Sequence, residues 1–202
     1  MPYGYIGQNT PNQTVSNSGV FSISDVADLE KQGKFGGSLE LIAEQTCTGY
    51  TTLEFTNIKE TVYDVHLLQY IGLESASDMY NECRVSNNNG TSYEVSGYRR
   101  AVQYGSINGT FGENRTLSTS RFSILAFATA GTPLSNYVYL YNLGNPSKYS
   151  FITHQSTVGN EWIYFGSQVY EVAETINALQ ILNSASATWT NGTVKLYGLK
   201  QL

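Results

Sequence analysis

The chain has 202 residues, 11 basic and 16 acidic, giving a net charge of −5 and a charged fraction of 13%. A soluble domain ordinarily carries about 25% charged residues; here 21 Ser, 20 Thr, 17 Asn and 19 Gly fill the deficit. Scattered basic residues argue against nucleic-acid binding, no apolar run reaches the roughly 18 residues of a membrane-spanning helix, and 41% hydrophobic content is too high for a wholly disordered chain. Gly, Asn and short hydroxyl residues favour turns, whereas 16 Tyr, 8 Phe and many Val, Ile and Thr favour strands. The composition therefore predicts an all-β protein.

The opening stretch, MPYGYIGQNTPNQTV, has neither a basic n-region nor an apolar h-region, so no Sec-type leader is expected. Residues 1–20 are rich in Gly, Asn, Gln, Thr and Ser and have no sustained periodicity, so alone they bury too little surface to fold. A short apolar alternation, Val20 to Ile23, leads into one predicted helix over Ser24–Gly33. Ser24 suits its N-cap, Asp25 and Asp28 its first turn, and Gly33 its C′ position. Val26 and Leu29 give it one thin apolar face, which cannot sustain a helix this short by itself. Residues 1–50 are therefore expected to form an anchoring arm that docks through Val20, Phe21, Ile23, Val26 and Leu29, and residues 51–202 a separate domain.

From residue 50 onward the apolar period is two. Predicted strands are Thr52–Thr56, Tyr63–Ile71, Tyr80–Ser86, Ser92–Tyr104 with a break at Gly97, Arg121–Thr129, Tyr137–Tyr141, Tyr149–His154, Trp162–Val172 and Thr193–Leu199; the less regular Glu174–Leu182 is also read as a strand. Turn clusters stand between them at Asn87–Gly90, Ser106–Thr110, Gly131–Pro133, Asn142–Pro146 and Thr190–Gly192. Such spacing without intervening helices predicts an antiparallel β-sandwich of jelly-roll type. The sequons at Asn12, Asn89, Asn108, Asn114 and Asn191 are read as turn chemistry entering strands. Cys47 and Cys83 are expected to be free thiols, because a disulfide-stapled domain would carry more cysteines.

Catalytic and metal-binding patterns are missing. His66 and His154 are the only histidines, no serine sits in Gly-x-Ser-x-Gly, and both histidines are read as surface or cross-strand residues. The same two groups predict modest pH sensitivity between pH 6 and 8. No Cys-x-x-Cys or His-x-x-x-His occurs, and Asp25/Asp28 and Asn87–Asn89 lack the spacing of an EF-hand loop. Nothing singles out a facing carboxylate pair for glycoside hydrolysis. No enzyme activity and no cofactor are expected. The unusual feature is Tyr137, Tyr139 and Tyr141 on one strand face, with Val138 and Leu140 on the other. Three readings stand open for this stripe: a subunit contact, a sugar platform, or rings partly buried within the sandwich.

Three segments carry a resemblance. Ser16-Asn17-Ser18-Gly19-Val20-Phe21-Ser22-Ile23-Ser24-Asp25-Val26, running on to Gly36-Gly37-Ser38-Leu39-Glu40-Leu41-Ile42, resembles an N-terminal stretch of virion structural proteins of tailed bacteriophages, especially those of marine cyanobacteria. The closing Gly192-Thr193-Val194-Lys195-Leu196-Tyr197-Gly198-Leu199 is similar to the last strand of β-sandwich domains in phage fibre and decoration proteins, and Thr52–Ile58 to their opening strand. Together they cover about a quarter of the chain. The resemblance implies a non-enzymatic virion component, of tail, baseplate-fibre or head-decoration type, assembled in the host cytoplasm. Its implied partners are other virion proteins and further copies of itself, as a homotrimer for fibre-type assemblies. The alternative is a carbohydrate-binding module that recognises host surface glycans through the tyrosine stripe.

Overall fold

The computed structural model describes residues 22–31, 39–159 and 161–199. One helix, α1 (Ile23–Lys31), precedes twelve strands: β1 (Leu39–Thr46), β2 (Thr52–Thr56), β3 (Val65–Ser75), β4 (Met79–Ser86), β5 (Tyr98–Ser106), β6 (Phe111–Thr119), β7 (Phe122–Ala128), β8 (Leu134–Tyr141), β9 (Ser150–Val158), β10 (Trp162–Tyr170), β11 (Ala178–Asn183) and β12 (Trp189–Leu199). The chain divides into two units, residues 1–38 with the helix and a second unit that begins at Leu39 and holds every strand.

The strands form two antiparallel sheets, and the protein is an all-β sandwich. The larger sheet has the order β1-β12-β3-β8-β9-β10-β5-β6 and the smaller β2-β11-β4-β7. Four of the pairings, β1 with β12, β2 with β11, β3 with β8 and β4 with β7, are those of one long hairpin. Its rolling is closed by β12 with β3 and β11 with β4. This is the winding of a jelly roll. Two hairpins are added to that eight-stranded frame: β5–β6 between β4 and β7, and β9–β10 between β8 and β11. Both join the large sheet on its β8 side, so eight strands face four.

Strand alternation supplies the core from both sheets. Leu68, Tyr70, Val138, Leu140, Val194 and Leu196 from the large sheet are buried in one cluster with Leu53, Phe55, Cys83, Val85, Phe122, Ile124, Leu179 and Ile181 from the small one. Tyr98 ties the layers together. Its phenol oxygen accepts from the Val85 N–H at 3.0 Å and donates to the Glu94 carbonyl at 3.1 Å, while its ring meets Phe122 edge-on. Cys47 and Cys83 are both buried free thiols.

Because β7 ends the small sheet, one of its backbone edges has no strand beside it, and side chains of the large sheet fill that role. Gln168 of β10 accepts the Ser123 N–H at 3.0 Å and donates to the Ser123 carbonyl at 2.6 Å, as a neighbouring strand would. Ser156 of β9 donates to the Ile124 carbonyl at 3.3 Å. Gln168 and Ser156 are themselves buried, so each bond satisfies groups that water cannot reach.

Several predicted boundaries change. The first unit is shorter than the predicted 1–50: the division between units falls after residue 38, and Leu39–Thr46 is a strand of the large sheet. A β-bulge after Leu41 interrupts its alternation, which is why a period of two does not reveal it. The helix starts at Ile23 and is capped by Ser22, not Ser24. The Ser22 hydroxyl oxygen accepts the Asp25 N–H at 3.1 Å, and the Asp25 carboxylate accepts the Ser22 N–H at 2.9 Å, a reciprocal capping box. Residues 92–97 are not strand; β5 begins at Tyr98. Residues 111–119, predicted as no element, form β6. Asn191-Gly192 is not a turn but a double irregularity inside β12, where Gly192 has φ +114° and any Cβ would press on the Leu73 Cα at 2.7 Å.

Replacing Gln168 with Leu removes both bonds to Ser123 and leaves its N–H and C=O buried without partners. A loss of about 3 kcal/mol is expected, to be read as a lower midpoint at unchanged slope in urea unfolding.

Candidate functional site

The alternation of β8 turns Val138 and Leu140 into the core and Tyr137, Tyr139 and Tyr141 onto the outer face of the large sheet. The stripe is thus outside the sandwich, not within it. Ring centroids of Tyr137 and Tyr139 are 5.9 Å apart and edge-on, and those of Tyr139 and Tyr141 are 6.5 Å apart and tilted. Two hydroxyls are pinned to β9: Tyr137 donates to Gln155 Oε1 at 2.7 Å, and Tyr141 shares a bond with Thr153 Oγ1 at 3.3 Å. The rings therefore hold fixed positions with little remaining entropy to lose on binding.

Cross-strand register extends the stripe into a wider surface. Val65, Tyr141 and Phe151 form one row, Leu67, Tyr139 and Thr153 the next, and Gln69, Tyr137 and Gln155 a third. Tyr197 of β12 joins the second row beside Leu67, and Phe165 of β10 joins the third beside Gln155. The surface offers aromatic rings, aliphatic groups, hydroxyls and amides. Charges at its margins occur as pairs, Lys195 with Glu44 at 3.2 Å and Arg99 with Glu171 at 2.6 Å.

At the Tyr141 end the stripe runs into a polar cleft of about 500 Å³ between the β2–β3 and β8–β9 loops. Glu60, Asp64, Asn142, Asn145 and Lys148 line it with Tyr141. The loops meet at Gly144, where a Cβ would overlap the Glu60 carbonyl, so the wall depends on the absence of a side chain there. Asn142 sits at φ +65° and donates from Nδ2 to the Tyr149 carbonyl at 3.1 Å. Tandem carboxylates, amides and a ring edge are groups that hydrogen-bond and stack on sugar hydroxyls and faces. Among the described residues no cluster of three His, Cys, Asp or Glu could hold a metal ion.

Of the arm residues, Ile23 is 91% exposed. Val20 and Phe21 lie outside the described residues; Val26 and Leu29 lie within α1 with their side chains outside them. The helix belongs to the first unit and the tyrosines to the second, where β8 brings the three rings together on one face. The cleft escaped the sequence reading. Asn142–Pro146 was legible as a turn, but nothing local signals that it meets residues 60–64.

Of the two readings of the histidines, the cross-strand one holds: both sit in paired strands, and neither is on the surface. His66 is fully buried, donates from Nε2 to the Ile58 carbonyl at 2.8 Å, and lies edge-on to Tyr63. His154 is 4% exposed, and neither ring nitrogen has a hydrogen-bond partner. Burial lowers both: His66 is held below the ordinary histidine range, and His154 is pushed down to about 4. Neither is placed to activate a surface nucleophile.

No protein-family model matches the chain, and no curated protein matches it at a significant level.

The buried histidines move the pH window below that expected from exposed ones. An unfolded chain takes up the His154 proton near pH 6.5, whereas the folded chain resists it until about pH 4. The stability linked to its neutral ring is therefore complete above pH 6.5 and is lost as the pH falls to about 4, by at most about 3 kcal/mol. Glu82, whose carboxyl burial holds above its ordinary range beside Arg121, acts in the opposite sense. The comparison with His154→Leu isolates the histidine. The variant is expected to lose less stability than the parent in urea titrations at pH 7, 5.5 and 4.

Proposed function

We propose that this protein is a non-enzymatic structural subunit of a tailed-phage virion that docks on neighbouring virion proteins through residues 1–38, as a tail or baseplate fibre component or a head decoration. The observation that carries this reading is α1. It is a nine-residue helix with its own capping box, in a unit separate from the sandwich, and its leading apolar residue is exposed. A helix of two to three turns draws its stability from packing an apolar face, not from propensity. Ordering such an arm costs about 1–2 kcal/mol of backbone entropy per residue, which a partner's surface must offset. The resemblance at both ends of the chain and the low-charge, hydroxyl-rich sandwich support the same reading. Jelly rolls recur among viral capsid proteins and among lectins, so the fold alone suits this reading and its alternative alike.

The test is incorporation. Particles assembled with a chain lacking residues 1–38 are expected to lose the protein on purification, while the truncated chain stays folded in the soluble fraction by circular dichroism. Incorporation at the full-length level would remove the anchoring role.

A second reading is favoured by the tyrosine face and the cleft beside it: recognition of host surface glycans. Rings fixed at 5.9 and 6.5 Å spacing lead into a pocket of carboxylates and amides, a combination that stacks on sugar faces and bonds their hydroxyls. A glycan array followed by titration is expected to give millimolar or tighter binding that Tyr141→Ala weakens at least tenfold. Absence of binding to any host lipopolysaccharide at millimolar concentration sinks this reading and leaves the first untouched.

A further inference from the structure

We propose that two copies of this chain pair antiparallel along β6, about a two-fold axis at Asn114, so that the large sheet continues from one copy into the other. Among the described residues, β6 is the last strand of that sheet and bonds only to β5. The Ser106 N–H donates to the Thr110 carbonyl at 2.9 Å, so residues 106 and 110 form a hydrogen-bonded pair. Antiparallel alternation from that pair turns the backbone groups of Gly112, Asn114 and Thr116 toward β5. Those of Phe111, Glu113 and Arg115 are turned outward, along an edge that has no strand beside it among the described residues; Leu117 falls in the irregularity that follows Thr116.

The side chains of Phe111, Glu113 and Arg115 share the outer face and are exposed, as is that of Leu117, Phe111 at 79% and Leu117 at 81%. Read from Asn114 in either direction, they are opposite in charge and alike in apolarity. Placing Asn114 against its own copy sets Phe111 against Leu117 and Glu113 against Arg115, each twice by symmetry. The two Glu113–Arg115 pairs are then hydrogen-bonded pairs of the new ladder, so their outward N–H and C=O groups find partners, and Phe111 and Leu117 meet as side chains beyond them. A slip of two residues one way sets Arg115 against Arg115, and the other way Glu113 against Glu113. Facing like charges are destabilising. A slip of one residue opposes outward backbone groups to inward ones. Charge and backbone thus select the same register.

Within one copy, Glu113 and Arg115 form only a loose, exposed pair at 3.7 Å, leaving both free to turn toward a partner. The other end of the sheet is guarded: β1 carries a bulge after Leu41, and Glu40 and Glu44 are paired with Lys59 and Lys195. Bulges and charges are the means by which edge strands avoid pairing. β6 has its irregularity only beyond Thr116.

This contact does not rest on the arm, since a chain lacking residues 1–38 keeps β6 whole. Loss of particle incorporation with dimerisation intact separates the two proposals. Sedimentation equilibrium of the full-length chain is expected to show a dimer. Glu113→Arg, an exposed substitution, sets arginine against arginine and is expected to weaken dimerisation at least tenfold. The double variant Glu113→Arg/Arg115→Glu restores opposite charges in reversed order and should return the dissociation constant to near the parental value.

An independent readout is oxidation. Asn114 and its copy form a non-hydrogen-bonded pair with Cα atoms about 4.5 Å apart, within disulfide reach. Asn114→Cys should therefore cross-link into a covalent dimer. Thr116→Cys should not, because its copy lies about 13 Å away along the strand. The native thiols are buried and do not compete. A monomer at every concentration overturns the proposal, as does equal cross-linking of both cysteine variants. So does a trimer or a β1-to-β6 ring in which Asn114→Cys fails to cross-link.

Discussion

The architecture rests on a mismatch: eight strands on one side of the core and four on the other. A small sheet facing a larger one has its terminal strand inside the shadow of its partner, where bare backbone cannot be hydrated. Gln168 resolves this by lending β7 the donor and acceptor of a missing strand, and Ser156 adds a third bond one residue on. The amide is the right group because it presents an N–H and a C=O in the geometry of a peptide unit. With that edge satisfied, strands β9, β10 and β5 can extend past the frame of the jelly roll without exposing the ladder beneath them.

The two added hairpins explain where interaction surface is found. In a bare four-over-four sandwich β8 would end its sheet, and its tyrosines would form a rim. With β9 alongside, Tyr137 and Tyr141 gain hydroxyl partners and become the middle of a broad face. The second hairpin carries the sheet on to β6, which serves no core and presents its apolar and charged residues outward. Face and edge are both consequences of insertion. The inserted hairpins thus account both for the breadth of the ring-bearing face and for the exposed edge strand.

How far these features are legible in the sequence depends on whether one residue pair decides them. Thr52–Thr56 coincides with β2, and the Tyr/Val/Tyr/Leu/Tyr alternation assigns the faces of β8. β6 is invisible because Gly112, Glu113, Asn114 and Arg115 are poor strand formers; it is a strand because β5 offers a partner. His66 shows the limit of binary pattern. In Val65-His66-Leu67-Leu68 both faces carry apolar residues, and the histidine's side becomes the inside because Leu68 and Tyr70 continue it into the core. Of the three Asn-Gly-Thr sequences, those at 89 and 108 open turns, whereas Asn191-Gly192 is drawn into β12 by pairing with β3. The cleft at Gly144 depends on two loops separated by most of the middle of the chain, and no local signal foretells that.

The nested winding has a temporal consequence. Leu39 faces Leu199, and β12 lies between β1 and β3. Until that last strand leaves the ribosome, β1 has no neighbour in the large sheet and β3 keeps one side open. At about 5–20 residues per second of synthesis, the nascent chain waits on the order of 10–30 s with apolar strand edges uncovered. Pairings this distant in the chain are also slow to close. In the cell, chaperone protection during elongation would then matter more to the yield of native protein than the stability of the finished molecule.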